Sequence, residues 1–268
     1  MLTRRAFFRR LLADPKAREL LMNTLAVGEA DSAVDLDRVA SHVADDAIAR
    51  RIYRHYAEEQ RHARLLGRRL EELGFEIAPL PPELDYERYL QRFHLGTPRS
   101  RLDDPAPFSP ADLVLFFCGS IAAEERACEE MTGLVEALGE DPGTARVLRA
   151  ICADELRHVS YATEELQRLA AAGRREEVSR ALRRARRAEA RAHRLVSRAF
   201  MRRLMTMLGY PRAIQILAGL RIDLAFAARW LFPGGLDEPR IADAMGIPDR
   251  STPQPRESGV VLSAEEPR

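Results

Sequence analysis

Cysteine is scarce in this chain, net charge is nearly absent, and no long apolar run occurs. The three cysteines (Cys118, Cys128, Cys152) form no Cys-x-x-Cys pair and leave an odd number. That excludes a zinc ribbon, a rubredoxin-type site or a disulfide framework, and it points to a reducing, cytoplasmic setting. A net charge of +1 over 268 residues argues against a protein built as a whole to coat nucleic acid or a membrane surface. No stretch reaches the roughly 18 uncharged apolar residues of a membrane span, because Arg221, Asp223 and Arg229 interrupt the most apolar segment. The opening "LTRRAFFRR" has the arginine pair of an export signal but not its apolar region, since charges and Pro15 interrupt "LLADPKAREL". It reads as an amphipathic start.

What is present is helical patterning. Hydrophobic residues make up 46 % and charged residues 31 %, ordinary for a helical protein with a buried core. Strand-type alternation is scarce, while apolar residues recur at intervals of three and four. The periodicity predicts a first helix over 15–43, and a second that follows the capping aspartates of "ADDA" and stops at Gly74. Residues 75–110 are proline-rich and read as a long crossover with one short helix near Tyr86. Further helices are expected over 111–138, 144–172, an arginine-rich segment after Gly173, and 212–232. Residues 1–172 form the expected bundle, 173–232 are additional C-terminal helices packing on it, and 233–268 are an expected poorly ordered tail.

One signature occurs twice. "EEQRH" at 58–62 and "DELRH" at 154–158 each hold a Glu-x-x-His pair, Glu59 with His62 and Glu155 with His158. Residues three apart share a helix face, so both side chains of a pair can reach one ion. Glu29 precedes the first pair by 59 − 29 = 30 residues, and Glu125 precedes the second by 155 − 125 = 30. The whole set repeats with an offset of 96, from 29 to 125, 59 to 155 and 62 to 158. In an antiparallel hairpin, residues equidistant from the turn stand at one height. The midpoints, 44 and 140, fall in "VADD" and "GEDPG", where the chain is expected to turn. Glu124 competes with Glu125, because a stripe of Phe117, Ile121, Cys128, Met131 and Val135 includes it. The shared register of the two halves selects Glu125.

Four carboxylates and two imidazoles at one level of a bundle are costly to bury without cations. Two divalent ions would balance the four negative charges, and oxygen-rich ligands with one nitrogen each suit iron or manganese better than zinc. One Glu from each of two helices with a Glu-x-x-His from each of the other two is the general pattern of the ferritin-like di-metal carboxylate bundles.

"AVGE" at 26–29 with "EEQRH", and Glu125 with "DELRH", resemble the paired E-x28-[DE]-E-x-R-H motif of ferritin-like non-haem di-iron oxygenases, over about residues 20–170. The resemblance implies an all-α ferritin-like four-helix bundle with a long crossover between its second and third helices. It also implies two iron ions per chain, with manganese as the alternative, held by Glu29, Glu59, His62, Glu125, Glu155 and His158. The chain departs from the aryl-amine N-oxygenase branch, which carries a third His where this sequence has Ile151, and it lacks the Cys-rich iron domain of typical rubrerythrins.

Neighbouring residues fit such a site. Glu58 and Asp154 are placed to accept the free N–H of the histidine on the facing helix, with Arg61 and Arg157 balancing them. Cys128, Cys152, Tyr56 and Tyr161 lie within reach and are read as core packing; His55, one turn before Glu59, is read as packing or hydrogen bonding, with an extra ligand as the alternative. Glu189 and His193 are read as part of the solvated face of the arginine-rich helix. The expected function is a di-iron oxidoreductase that uses O2 to oxidise a small organic substrate in a pocket walled by Leu25, Ser32, Ile121, Cys128 and Ile151. An electron-donor protein is an expected partner, as is a second copy of the chain, because the last helix is apolar on more than one face. The alternative is an iron-handling or peroxide-detoxifying protein of the ferroxidase, peroxidase or manganese catalase type.

Overall fold

The computed structural model describes residues 4–138 and 141–233, and those residues contain helices and no strand. Residues 1–3, 139, 140 and 234–268 lie outside them, the last range being all but the first residue of the tail expected to be poorly ordered. The helices are α1 (Arg4–Ala13), α2 (Pro15–His42), α3 (Asp46–Glu72), α4 (Tyr86–Arg92), α5 (Arg99–Leu102), α6 (Pro110–Ala137), α7 (Pro142–Leu169), α8 (Arg175–Met207) and α9 (Arg212–Leu231). The crossover therefore holds two short helices, not one, and the opening segment is a helix of its own.

Helix starts are set by local chemistry. Asp45 caps α3 by accepting hydrogen bonds from the Ala47 and Ile48 amides at 2.9 and 3.1 Å. Asp141 caps α7 through the Thr144 amide, and it also accepts a 2.8 Å bond from Arg69 near the end of α3. Ser109 and Asp112 form a reciprocal capping box on α6. Prolines open α2, α6 and α7, where their missing N–H costs nothing. The turn between α2 and α3 falls at 43–45, at the first midpoint. After α7 the chain turns at Gly173, whose φ of 91° is left-handed and easy only for glycine, and enters α8.

The long helices pair as two hairpins, α2 with α3 and α6 with α7, and α3 also packs on α7. Their apolar residues fall into two clusters. One gathers Leu36 and Val39 of α2, Ile48 and Ile52 of α3, Phe117 and Ile121 of α6, and Ala162 and Leu166 of α7. The other gathers Leu21 and Ala26, Leu66 and Leu70, Met131 and Leu134, and Leu148 and Ile151 of the same four helices. On every one of the four, buried charged or imidazole side chains lie between the two apolar stretches: Glu29, then His55, Glu59 and His62, then Glu124, then Asp154, Glu155 and His158. One polar layer thus crosses the bundle at a single height.

Two further features shape that layer. Helix α8 packs along α6 with its buried stripe of Val178, Leu182, Ala185, Glu189, Ala192 and Val196. The crossover lies against α6 so closely that a Cβ on Gly119 would stand 2.6 Å from the Gly96 Cα. Glycine at 119 is what lets the backbones meet.

Candidate metal centre

The polar layer resolves into two groups that share Glu59. His55, Glu59, Glu124 and His158 form one, and Glu29, Glu59, His62 and Glu155 form the other. In each group the possible ligand atoms lie within 4.8 Å of one another, and every residue is buried.

The histidines face both ways. His62 Nε2 is 3.0 Å from Asp154 Oδ2, and His158 Nε2 is 2.9 Å from Glu58 Oε2. An ionised carboxylate only accepts, so in each bond the imidazole must carry its proton on Nε2. The Nδ1 lone pair then points inward. His62 Nδ1 stands 3.2 Å from both Glu29 Oε2 and Glu155 Oε1. His158 Nδ1 stands 2.9 Å from Glu155 Oε2 and 3.3 Å from Glu59 Oε1. Lone pairs facing carboxylate oxygens at these distances repel unless a proton or a cation lies between them. Donors at right angles on one octahedral ion, with bonds of about 2.1 Å, are about 3.0 Å apart, so the spacing fits a metal ion.

The electrostatics point the same way. Burial and Glu29 push the Glu59 carboxyl well above its usual value, and burial and Glu124 do the same to Glu155. Burial alone would raise Glu124 too, but the hydrogen bond from His55 holds it down at about 2. His55 is lifted to about 9 despite its burial, by Tyr161 and Glu124 beside it. His158 is lowered to about 4 by burial and by His55, whose ring stacks on it at 3.6 Å. Four carboxylates here cannot all ionise without added positive charge.

Outside the layer, Arg61 ion-pairs with Asp154, and Arg157 with both Asp154 and Glu58. Glu58 is held at about 2: burial would raise it, but His158 and Arg157 outweigh that. These acids orient the rings, and the arginines keep the acids charged.

The register expected for α6 is corrected by one residue. Glu125 does not join the layer: its two oxygens receive 2.9 and 2.6 Å hydrogen bonds from Arg186 of α8. Glu124 takes its place, on the buried stripe with Phe117, Ile121, Cys128 and Met131. The physical reason is α8. It covers one side of α6 and offers an arginine there, a partner that lies outside the internal repeat and cannot be read from the 96-residue offset.

His55 makes the hydrogen bonds expected of it and also stands in one of the two donor groups. Its Nε2 lies 3.2 Å from Glu59 and 3.1 Å from Glu124, while its Nδ1 shares a 2.9 Å hydrogen bond with the Tyr161 hydroxyl. A signal was available in sequence, since residue 55 is one turn before Glu59 on the same face. Glu189 and His193 are buried, not solvated, and Glu189 accepts a 3.3 Å hydrogen bond from the Tyr86 hydroxyl. Arg126 and Glu130 of α6 pair with them, and Tyr86 of α4 and Phe226 of α9 close over them.

A cavity of about 500 Å³ opens onto the layer, with Glu29, Glu59, Glu124 and Glu155 in its wall. Leu25 and Ser32 line it as expected, together with Leu36, Leu84, Leu90 and Phe116. Ile121, Cys128 and Ile151 do not; they are buried in the core. No protein-family model, curated protein or solved structure matches the chain.

Proposed function

We propose that the protein is a ferritin-like, non-haem di-iron oxidoreductase that uses O2 to oxidise a small organic substrate. The observation that supports this reading best is the pair of buried donor groups, joined by Glu59 and opening into a cavity of about 500 Å³. His55, Glu59, Glu124 and His158 would hold one ion, and Glu29, Glu59, His62 and Glu155 the other. Two iron ions held there would supply O2 activation, a redox chemistry that the side chains alone lack.

The chain's own contributions are distinct. Glu58 and Asp154 fix the histidine tautomers and keep the Nδ1 lone pairs inward. Glu59 and Glu155, whose carboxyls burial lifts, give up their protons when positive charge enters the layer. The two apolar clusters exclude water from above and below. The cavity positions a mostly apolar substrate beside the four carboxylates, with α4 and the Gly96 strap as its roof.

A second reading, an iron-handling or peroxide-detoxifying protein, is favoured by one feature. Asp31, Asp35 and Glu87 line the cavity wall and would draw a cation inward. Protein purified without oxygen and loaded with ferrous iron separates the two. The oxygenase reading expects a transient visible band on mixing with O2, and uptake of O2 that stops after about two irons per chain unless substrate and reductant are present. Continued turnover of excess ferrous iron, or of H2O2 alone, would establish the second reading, and a stable, O2-inert dimanganese centre would remove the first.

A further inference from the structure

Helix α9 is built inside out. The face it turns to α8 carries Gln215, Gly219, Asp223 and Phe226, which meet Thr206, Arg198, Arg194 and His193 of that helix, and of these only Phe226 is fully buried. The face it turns outward carries Ala213, Leu217, Leu220, Leu224, Ala227 and Leu231. The four leucines are 61, 53, 73 and 57 % exposed. The outward face is the more apolar of the two. Its spacing, 4-3-4-3-4, is the seam of a two-helix coiled coil, and the exposed Ile216 flanks it.

We propose that this seam pairs with the same seam of a second copy of the chain, antiparallel, about a twofold axis level with Ile222. The order of side chains carries the choice. In that register Leu220 faces the partner's Leu224, Leu217 faces the partner's Ala227, and Ala213 faces the partner's Leu231. Each large residue at the ends meets a small one, and the leucines meet at the centre. A parallel pairing in register would set alanine against alanine at two layers and leave gaps there. The sequence after Pro233 is a poor alternative occupant, since its 35 residues carry five prolines and no apolar run of comparable spacing. Among the described residues no helix is long and apolar enough to cross a membrane. The pairing is self-complementary, as a twofold interface requires.

Sedimentation velocity of the full chain at micromolar concentration tests this. The expected species has twice the 30.2 kDa chain mass. Leu220→Lys or Leu224→Glu alone is expected to give a monomer with an unchanged far-ultraviolet spectrum, because both positions are exposed in the single chain. The double variant Leu220→Lys/Leu224→Glu is expected to recover the dimer, because each new lysine then faces a new glutamate across the axis. A wild-type monomer overturns the proposal, as does a dimer that survives both single changes or a double variant that stays monomeric. Co-sedimentation of wild-type protein with anionic phosphatidylglycerol vesicles, lost in Leu224→Glu while the oligomeric state is unchanged, would assign the face to a lipid surface instead.

Discussion

On α3 the polar layer presents His55, Glu59 and His62; at the matching heights on α7 stand Ile151, Glu155 and His158. The two halves share a plan and differ in one imidazole. The consequence is two unlike groups, one with two imidazoles and two carboxylates, the other with one imidazole and three carboxylates. A repeat supplies the frame, and the departure from the repeat makes the two positions chemically inequivalent. The oxygen-rich group suits a harder ion and carries more negative charge, while the group around His55 offers more nitrogen.

The comparison breaks most completely at the residue both groups share. Glu59→Ala is expected to drop the metal content of anaerobically purified protein from about two ions per chain to background, measured by elemental analysis. Retention of either ion would show that Glu59 does not bridge the groups.

A smaller effect separates Glu124 from Glu125. Glu124→Ala removes one donor from the His55 group alone, so about one ion per chain is expected to remain. Glu125→Ala is expected to keep both ions and lose about 1 kcal/mol of stability, because the two hydrogen bonds from Arg186 are lost. The reverse pattern would restore the symmetric register.

How the sequence misleads at position 125 has a physical explanation. Hairpin geometry needs only a count of residues from the turn, so the heights of Glu29, Glu59, His62, Glu155 and His158 were legible in the 30-residue spacing. So were the helix starts, because Asp45, Ser109 and Asp141 act on amides two or three residues away. The rotation of α6 depends on a helix 60 residues further on, and nothing local encodes that Arg186 claims Glu125. Burial of Glu189 and His193 was hidden for the same reason: their environment comes from α6 and α9, while their neighbours in sequence are arginines. The roles of His55 and Ile151 lay in plain view as an unequal pair 96 residues apart.

The outer acids test the comparison more gently. Glu58→Gln and Asp154→Asn each leave a histidine ring without its charged acceptor, and each is expected to weaken metal binding by about 10–100-fold without abolishing it. Equal losses from the two changes would indicate that the groups are energetically alike; a larger loss for Asp154→Asn is expected, because the His62 group has no second imidazole.

Changes of pH should then shift the balance between metal-free and loaded protein. Glu59 and Glu155 are raised above the ordinary 4.5 in the folded state, so their contribution to folding is full below that pH and is lost as pH rises through the raised values. Loaded protein escapes this loss, because the ions replace the protons. The difference in melting temperature between loaded and metal-free protein is therefore expected to widen from about pH 5 to about pH 8, followed by calorimetry. A constant difference would mean that the layer carries no excess protons.

The central claim is that two inequivalent ions occupy the layer. An anaerobic equilibrium titration of metal-free protein with ferrous iron tests it most directly. The expected result is two resolved binding steps that end at about two irons per chain, with the step that disappears in His55→Ala distinct from the one that remains. A single step, an endpoint at one iron or none, or two steps that survive Glu59→Ala would contradict it.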